Sequence, residues 1–351
     1  MDTFKISNMS FKIHNRRYTG SKQKLTEWIS DTISQTVTPD CRSFCDLFAG
    51  TGVVTKAVIN QFDSFYLNDF LFSNNAIYKA FYEKTNYRED VLIRFKREFI
   101  MLSADELDDN YVSLNFGNKF FSYNDAKKIG HIRQRIEDLK TANEINEREY
   151  YILLTSLLYS FDRCANTVGH YEAYIKNKRI KDGFEFDLIS PVILDNNDPR
   201  SIHIYREDSN ELVKRIEADV VYIDPPYSSR QYSRFYHVLE TIIKWDMPEL
   251  YGAALKPKPE NMSEYCSSRA IDAFRELISD LKCKYIFVSY NNTYNSKSKS
   301  SQNKMEIDDM LDVLRKKGTT TIAEKKYNAF NAGKTSMDDH KEFLFITEVQ
   351  K

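Results

Sequence analysis

The chain has 351 residues, which is enough for one large α/β domain with an insertion or for two domains. Its hydrophobic residues (42%) and aromatic residues (14%) exclude a disordered chain, and no stretch approaches the roughly 18 consecutive apolar residues of a membrane span. The formal net charge of −1 excludes a strongly basic protein, so binding to a polyanion would depend on local basic clusters.

The cysteines and the first ten residues indicate the compartment and exclude a zinc site. Five cysteines occur, an odd number with no C-x-x-C pair, and their spacing neither builds a disulfide framework nor matches a zinc site. We therefore expect buried thiols and no bound metal. Residues 1–10 lack the charged-then-apolar layout of a signal peptide, so the expected location is the cytoplasm.

The first patterned segment is a Gly-Ser turn at Gly20, followed by apolar residues at helical spacing from residue 23 onward. The free N–H groups at the start of a helix, together with its positive end, favour an anion, and Lys22 adds a full positive charge. A carboxylate-binding turn and an ordinary helix start are both consistent with this segment alone.

Residues 43–52 form a short apolar strand that runs into a glycine turn, and a helical pattern follows. This βα pattern predicts the first unit of a doubly wound sheet. Gly50 and Gly52 are spaced G-x-G and not G-x-G-x-x-G, and no Gly-Lys-Ser/Thr follows, which disfavours NAD and nucleoside triphosphates. A second strand at residues 64–67 leads to Asp69, where a carboxylate is placed to hold ribose hydroxyls.

From about residue 76 to residue 187 the sequence is charged and helix-friendly, with few strand signals. The helix-friendly stretches are residues 78–107, 122–139 and 143–160. A segment without periodicity follows at residues 162–171, and a basic run comes next at residues 176–181. Taken by itself, the segment at residues 162–171 is consistent with a buried polar junction below the last helix, and the basic run with a phosphate-contacting edge or a solvated face.

The α/β pattern then resumes and leads to the segment Asp224-Pro225-Pro226-Tyr227. A strand at residues 202–205 is followed by Asp208, and an apolar strand at residues 218–223 runs directly into the two prolines. The prolines fix φ and remove two N–H donors, so the carbonyls there face outward with no strand to join. Asp224 and the Pro225 carbonyl can each accept one N–H from the exocyclic amine of a flat base, and Tyr227 can stack on its ring.

The last part of the chain predicts further strands. Residues 285–292 read as a buried strand, and residues 319–322 with 342–346 read as a closing antiparallel pair. Residues 327–334 offer aromatic side chains for a second wall of a base pocket.

The D-P-P-Y segment after a hydrophobic strand resembles the catalytic motif of amino-directed DNA methyltransferases, the D12 class of N6-adenine methylases that includes the Dam enzymes. The run from Asp224 to Glu240 is most similar to the adenine modification methylases of FokI-type type IIS restriction systems. This resemblance implies an α/β fold: a Rossmann-like S-adenosylmethionine-dependent methyltransferase sheet with a mainly helical inserted target-recognition domain. It also implies S-adenosylmethionine as cofactor, double-stranded DNA as partner and a cognate restriction endonuclease acting on the same site.

The resemblance also implies a role for individual residues and a division of the chain. Residues 1–75 would be the cofactor-binding half, residues 76–190 the helical target-recognition insertion, and residues 191–351 the catalytic half. The catalytic residues would be Asp224, Pro225, Pro226 and Tyr227. The cofactor-binding residues would be Tyr18, Gly20, Lys22, Asp46, Phe48, Gly50, Gly52, Asp69, Asp208 and Asp224. The DNA-binding residues would be Arg163, Asn166, Lys176, Lys178, Arg179 and Lys181.

The reaction implied is direct methyl transfer to the N6 amine of an adenine that has left the base stack, with no covalent enzyme intermediate and no metal. One departure is the Gly-Ser turn at Gly20, where many Dam enzymes have Gly-Gly. An RNA methyltransferase or a protein-glutamine methyltransferase could use a related catalytic turn. A catalytically silent DNA-binding subunit is a third alternative, disfavoured because the cofactor glycines and the whole D-P-P-Y segment are intact.

Overall fold

A computed structural model of the chain describes residues 11–177, 179–292, 303–326 and 341–350. The chain divides into two compact units. The sheet unit comprises Gly20–Asn75, Pro199–Tyr236 and Pro259–Lys351. The helical unit comprises Met1–Thr19, Ala76–Asp198 and His237–Lys258.

The sheet unit is built on a seven-stranded sheet with the order β3-β2-β1-β4-β5-β7-β6. The strands are β1 (Ser43–Asp46), β2 (Ser64–Asn68), β3 (Ser201–Tyr205), β4 (Val220–Ile223), β5 (Tyr285–Asn291), β6 (Gly318–Lys326) and β7 (Lys341–Val349). The first five are parallel, whereas β7 pairs antiparallel with both β5 and β6. The predicted Rossmann-like α/β sheet and its closing antiparallel pair are confirmed.

Strand β4 is central, and all four of its residues are buried. Its sequence, Val-Val-Tyr-Ile, is the continuous apolar run expected of a parallel strand covered on both faces. Because β1, β2, β3 and β4 are parallel, their carboxyl ends meet at one edge of the sheet, where open α/β sheets bind ligands. The segment Asp224-Pro225-Pro226-Tyr227 begins at this edge.

The helices of the sheet unit are α1 (Thr26–Thr36), α2 (Val53–Val58), α8 (Ser209–Leu212), α9 (Tyr232–Phe235), α11 (Ala270–Asp280) and α12 (Ile307–Arg315). Helix α3 (Phe72–Tyr82) begins in the sheet unit and ends in the helical unit. One face of the sheet is buried by a core that includes Ile223, Ile286, Phe274, Leu277 and Leu314. Directly after Asp208 the chain forms the short helix α8, which ends at Leu212.

The helical unit is mainly helical in the residues that the structure describes, and it also takes in residues 1–19 and 237–258, which lie outside the predicted insertion of residues 76–190. It contains α4 (Glu89–Ile100), α5 (Tyr111–Phe116), α6 (Tyr123–Thr141), α7 (Glu147–Cys164) and α10 (His237–Lys244). The helix-friendly stretch at residues 78–107 is divided between two α-helices, because α3 ends at Tyr82 and α4 begins at Glu89. The break is held by Arg88, whose backbone N–H and guanidinium both donate to the buried carboxylate of Glu149.

The cysteine prediction is confirmed in part. All five cysteines are free thiols; Cys41, Cys45 and Cys266 are buried, whereas Cys164 and Cys283 are half-buried. Within the parts of the chain that the structure describes, no cluster of His, Cys, Asp or Glu could hold a metal ion. Within the same ranges, none of the helices has the length and apolar character needed to cross a membrane.

Candidate active site

The end of β4 carries a buried ionic network that involves Lys22, Asp224, Tyr227 and Glu342. The Lys22 ammonium Nζ lies 3.0 Å from Asp224 Oδ1 and 3.0 Å from Glu342 Oε1, and it donates to the Tyr227 hydroxyl at 2.9 Å. The Tyr227 hydroxyl is 2.6 Å from Asp224 Oδ1 and 3.1 Å from Glu342 Oε1. Segments far apart in sequence thus meet at one point of the sheet edge.

The ammonium is the one cation of this network, and it is shared between two carboxylates. The side chain of Lys22 is 7% exposed and that of Glu342 is 3% exposed. Burial alone would lower the pKa of Lys22, but Asp224 and Glu342 more than offset it, so the pKa is raised and the ammonium stays charged. Burial raises the pKa of Asp224, and Glu342 adds to this effect while Lys22 opposes it. With one positive and two negative groups, the network carries an excess negative charge.

Only one oxygen of Asp224 is used by the network. Both Tyr227 and Lys22 approach Oδ1. Within the described ranges, Oδ2 receives no hydrogen bond, and no N–H donates to the Pro225 carbonyl. The segment therefore presents two acceptors in sequence, as the two prolines predict.

The glycine turn after β1 lies at the same edge, beside two more carboxylates. Gly52 has φ +73°, a left-handed conformation that suits glycine, and α2 begins directly after it. Asp69 Oδ2 accepts from the N–H of Gly50 at 3.1 Å, and Asp69 Oδ1 accepts from the N–H of Leu71 at 2.8 Å. Asp69 therefore ties the end of β2 to the turn after β1.

Asp46, at the end of β1, is almost fully buried. Its Oδ2 accepts from Thr55 Oγ1 at 2.9 Å, while its Oδ1 has no hydrogen-bond partner among the described residues. Burial, opposed by Thr55 and reinforced by Asp224 and Asp69, raises the pKa of Asp46 to about 7. A buried, unpartnered carboxylate oxygen is costly unless a donor reaches it, so this atom fits a cationic ligand.

Phe48 and Asp208 both interact with Tyr265 of the sheet unit, the first through its ring and the second through its charge. The rings of Phe48 and Tyr265 meet edge to face with centroids 5.1 Å apart. Asp208 caps the short helix α8 by accepting from the N–H groups of Asn210 and Glu211. Burial raises the pKa of the Tyr265 hydroxyl, and the negative charge of Asp208 raises it further. Contact of Phe48 and Asp208 with a bound cofactor stays a prediction.

The remaining predicted cofactor residues, Gly20 and Tyr18, fall in different units. Gly20 has φ +82°, and the hydroxyl of Tyr232 lies 3.0 Å from the position that a Cβ would take there. The turn therefore requires glycine for its conformation and for space. Tyr18 belongs to the helical unit, where the guanidinium of Arg16 lies over its ring. A cofactor role for Tyr18 stays a prediction.

Tyr227 takes a position that the sequence did not predict. Its hydroxyl is held by the network, the Tyr290 ring lies 4.5 Å from its ring, and Lys22 Nζ lies 4.9 Å from the ring centroid. Stacking on a base, which stays a prediction, would require this ring to be released. In the position observed, Tyr227 interacts with Asp224 through its hydroxyl, which donates to Asp224 Oδ1.

The predicted DNA-reading residues of the helical unit divide into two groups. Asn166 is buried, and its amide donates to the carbonyls of Lys119 and Ile175 at 2.9 and 3.0 Å. This geometry favours the alternative role of a buried polar junction. Arg163, by contrast, is partly exposed, pairs with Glu185 at 3.5 Å and lies over the ring of Phe11.

The basic run is exposed where the structure describes it. Lys176, Arg179 and Lys181 are all exposed. Lys178 lies outside the described residues, as do residues 327–334, which the sequence predicted as a base-pocket wall. Contact between the basic run and DNA stays a prediction.

Sequence reasoning missed Glu342 and Tyr265. Glu342 did carry a signal, because it shares the strand parity of Leu344 and Ile346, both of which are buried in β7. A carboxylate at an inward position of a strand indicates a paired or functional group. Tyr265 lies in a stretch without periodicity and carried no comparable signal.

Comparison with known proteins identifies the relatives of this chain. The family model for the D12 class N6 adenine-specific DNA methyltransferases matches residues 18–305. The chain is 30% identical to the type II methyltransferase M.NlaIII of Neisseria lactamica, over 94% of this chain and 98% of that protein. It is 32% identical to the modification methylase StsI of Streptococcus sanguinis, over 91% of this chain and 50% of that protein.

A FokI-type relative is also found. The chain is 32% identical to the type II methyltransferase M.FokI of Planomicrobium okeanokoites, over 78% of this chain and 44% of that protein. The chain thus spans about half the length of StsI and somewhat less of M.FokI. The resemblance deduced from the D-P-P-Y segment is confirmed.

Proposed function

Because this chain belongs to the D12 class of N6 adenine-specific DNA methyltransferases, we propose that it is a site-specific adenine methyltransferase that uses S-adenosylmethionine and acts on double-stranded DNA. The observation that carries this proposal is the acceptor pair at the end of β4, Asp224 Oδ2 and the Pro225 carbonyl. Its relatives include type II modification methylases, and we propose the same role here, as the partner of a restriction endonuclease that acts on the same site.

The residues at the sheet edge fit this cofactor. The unpartnered Oδ1 of Asp46 suits the ammonium group of the cofactor, and Asp69 suits the ribose hydroxyls. The aromatic ring of Phe48 and the carboxylate of Asp208 suit the flat face and the polar edge of the adenine. Gly50 and Gly52 let the backbone come close. When bound, S-adenosylmethionine supplies an activated methyl group on a positively charged sulfur, which the excess negative charge around Asp224 favours.

The acceptor pair explains how the protein would activate the target amine. The lone pair of the adenine N6 is delocalised into the ring, which makes the nitrogen a poor nucleophile. Accepting one N–H at Asp224 Oδ2 and the other at the Pro225 carbonyl favours a tetrahedral nitrogen whose lone pair is free to attack. Asp224 must be ionised for this, and the Lys22 ammonium stabilises that charge.

Double-stranded DNA hides the N6 amine, so the target base must leave the stack at a cost of a few kcal/mol. Exposed cations could hold the DNA backbone during this step. Lys176, Arg179 and Lys181 are the exposed candidates, and phosphate contacts of this kind position the duplex without reading its sequence.

The test is methylation by the purified protein with radiolabelled S-adenosylmethionine and three substrates: unmodified plasmid DNA, ribosomal RNA and release-factor protein. We expect N6-methyladenine in DNA alone, identified by mass spectrometry of the nucleosides. Sequencing that detects methylated bases would then define the recognised site. Label in RNA or in protein glutamine instead of DNA would refute the proposed substrate, and label in none of them would refute the activity.

A further inference from the structure

Glu342 is a buried carboxylate that the proposed reaction does not use directly. It lies on β7, where its backbone is paired on both sides, with Asn291 of β5 and Lys325 of β6. Its Oε1 accepts from Lys22 Nζ at 3.0 Å and from the Ser289 hydroxyl at 2.8 Å. The Tyr227 hydroxyl, whose one proton can go to Glu342 Oε1 at 3.1 Å or to Asp224 Oδ1 at 2.6 Å, lies beside the same oxygen. The strand pairing, two donors and the shared Tyr227 proton therefore hold this oxygen in place.

A purely structural ion pair would be complete without Glu342. Lys22 and Asp224 already balance each other at 3.0 Å, and a further buried carboxylate costs free energy unless it is paired. An ammonium has three N–H donors, and here they point to Asp224, Glu342 and the Tyr227 hydroxyl. Without Glu342, the freed donor of Lys22 could turn to the second oxygen of Asp224.

We propose that Glu342 is a positioning residue that shares Lys22 and Tyr227 with Asp224, so that Asp224 keeps Oδ2 and its acceptor strength for the target amine. The inference rests on the proposed function, in which Asp224 accepts an N–H of adenine. It assigns no contact with substrate to Glu342, which acts through Lys22 and Tyr227.

The effect of Glu342 on Asp224 can be separated from other charges nearby. The groups that act electrostatically with Asp224 are Lys22, Glu342, Asp46, Tyr222, Tyr227 and Tyr232. Replacing Glu342 by glutamine removes a negative neighbour, which lowers the pKa of Asp224. Because Asp224 must be ionised to accept an N–H, the acidic limb of the pH profile should move to lower pH even though the rate falls.

The experiment compares Glu342→Gln with wild type by single-turnover methyl transfer at saturating S-adenosylmethionine and DNA, measured across pH. Saturating cofactor removes the contribution of Asp46 to cofactor binding. We expect a plateau rate at least about tenfold lower, the scale known for residues that orient a functional ligand. We expect the acidic limb to move down by roughly one pH unit and the dissociation constants for cofactor and DNA to stay within about threefold, because no ligand contact is lost.

Glu348→Gln is the matched control, because Glu348 is an exposed carboxylate on the same strand. It should leave the rate and the pH profile unchanged. If Glu342→Gln lowers the melting temperature and the rate but leaves the acidic limb in place, Glu342 is only structural and the proposal is overturned. An unchanged rate would overturn it as well.

Two further variants keep the test decisive. If Glu342→Gln does not fold, Glu342→Asp takes its place, because it keeps the charge but shortens the side chain. The rate of Glu342→Asp should fall while the acidic limb of its pH profile stays in place. Full activity of this variant would overturn the proposal. Asp224→Asn separates the two levels of inference. If Asp224→Asn is as active as wild type, the proposed function fails; if it is inactive while Glu342→Gln is normal, only the role of Glu342 fails.

Discussion

Replacing Asp224 by asparagine tests the acceptor role with little disturbance of the fold. The carboxamide oxygen can keep the position of Oδ1 and still accept from Tyr227 and Lys22. The NH2 group then takes the place of Oδ2 and faces the N–H of the target amine, donor against donor. The change also leaves one cation, Lys22, balanced by one carboxylate, Glu342, at 3.0 Å. We therefore expect the free energy of unfolding to change by no more than about 1 kcal/mol.

The catalytic loss can be worked out from the same geometry. A hydrogen bond to a charged group contributes about 1.5–3 kcal/mol, and an unsatisfied donor in its place costs about 1–3 kcal/mol more. Together they correspond to a single-turnover rate lower by roughly a factor of 10² to 10⁴. The assay is methyl transfer in one turnover at saturating cofactor, beside urea unfolding. Asp272→Asn, at an exposed carboxylate on α11, is the control. A folded Asp224→Asn protein with a rate within about tenfold of wild type would refute the acceptor role.

Four other changes test the rest of the site. Lys22→Met leaves two buried carboxylates without their cation, so the free energy of unfolding, measured with urea at neutral pH, should fall by about 3–5 kcal/mol. Part of this loss should be recovered in acid, where one carboxylate takes up a proton. Because the pKa of Asp46 is raised to about 7, its carboxyl group is neutral below that pH and cannot attract the ammonium of the cofactor. The cofactor affinity measured by calorimetry should therefore rise as the pH rises through 7, and Asp46→Asn should flatten this dependence. Asn166→Ala should lower stability by about 1–3 kcal/mol, since two part-buried hydrogen bonds to the carbonyls of Lys119 and Ile175 are lost, without changing the sequence preference in a randomised DNA library. Arg179→Ala should weaken binding to all sequences alike and reduce the salt slope by about one.

Each of these changes has an outcome that would contradict it. Unaltered stability of Lys22→Met would mean that the network contributes little to the fold. A cofactor affinity that does not vary with pH would remove Asp46 from the cofactor site. A changed sequence preference in Asn166→Ala would restore this residue to DNA recognition. The control for this variant is Asn124→Ala, which removes an exposed amide of α6 that donates to Asp182. An unchanged salt slope in Arg179→Ala would place DNA elsewhere on the protein.

The local chemistry of the site could be predicted because its signals are short in sequence. A strand that ends in a glycine turn needs only neighbouring residues, and Gly52 takes the positive φ that such a turn requires. The two prolines after β4 likewise fix their own φ angles and remove two N–H donors. Among the described residues, no backbone N–H donates to the Pro225 carbonyl, as these prolines predict. The alternation of strands and helices was sufficient to predict a doubly wound sheet, because hydrophobic periodicity reports which faces are buried.

The tertiary structure decided which side chains are buried and which of them share a proton or a charge. Asn166 and Arg163 look alike in sequence as candidates to read DNA, yet one is buried with both amide donors used and the other is partly exposed. Glu342 and Tyr227 meet although 115 positions separate them, because β7 pairs with β5 in the register that sets Glu342 opposite Asn291. Local sequence determines backbone conformation and the chemistry available at each turn, whereas strand register and burial, which are summed over the whole chain, determine which groups meet and how strongly they interact.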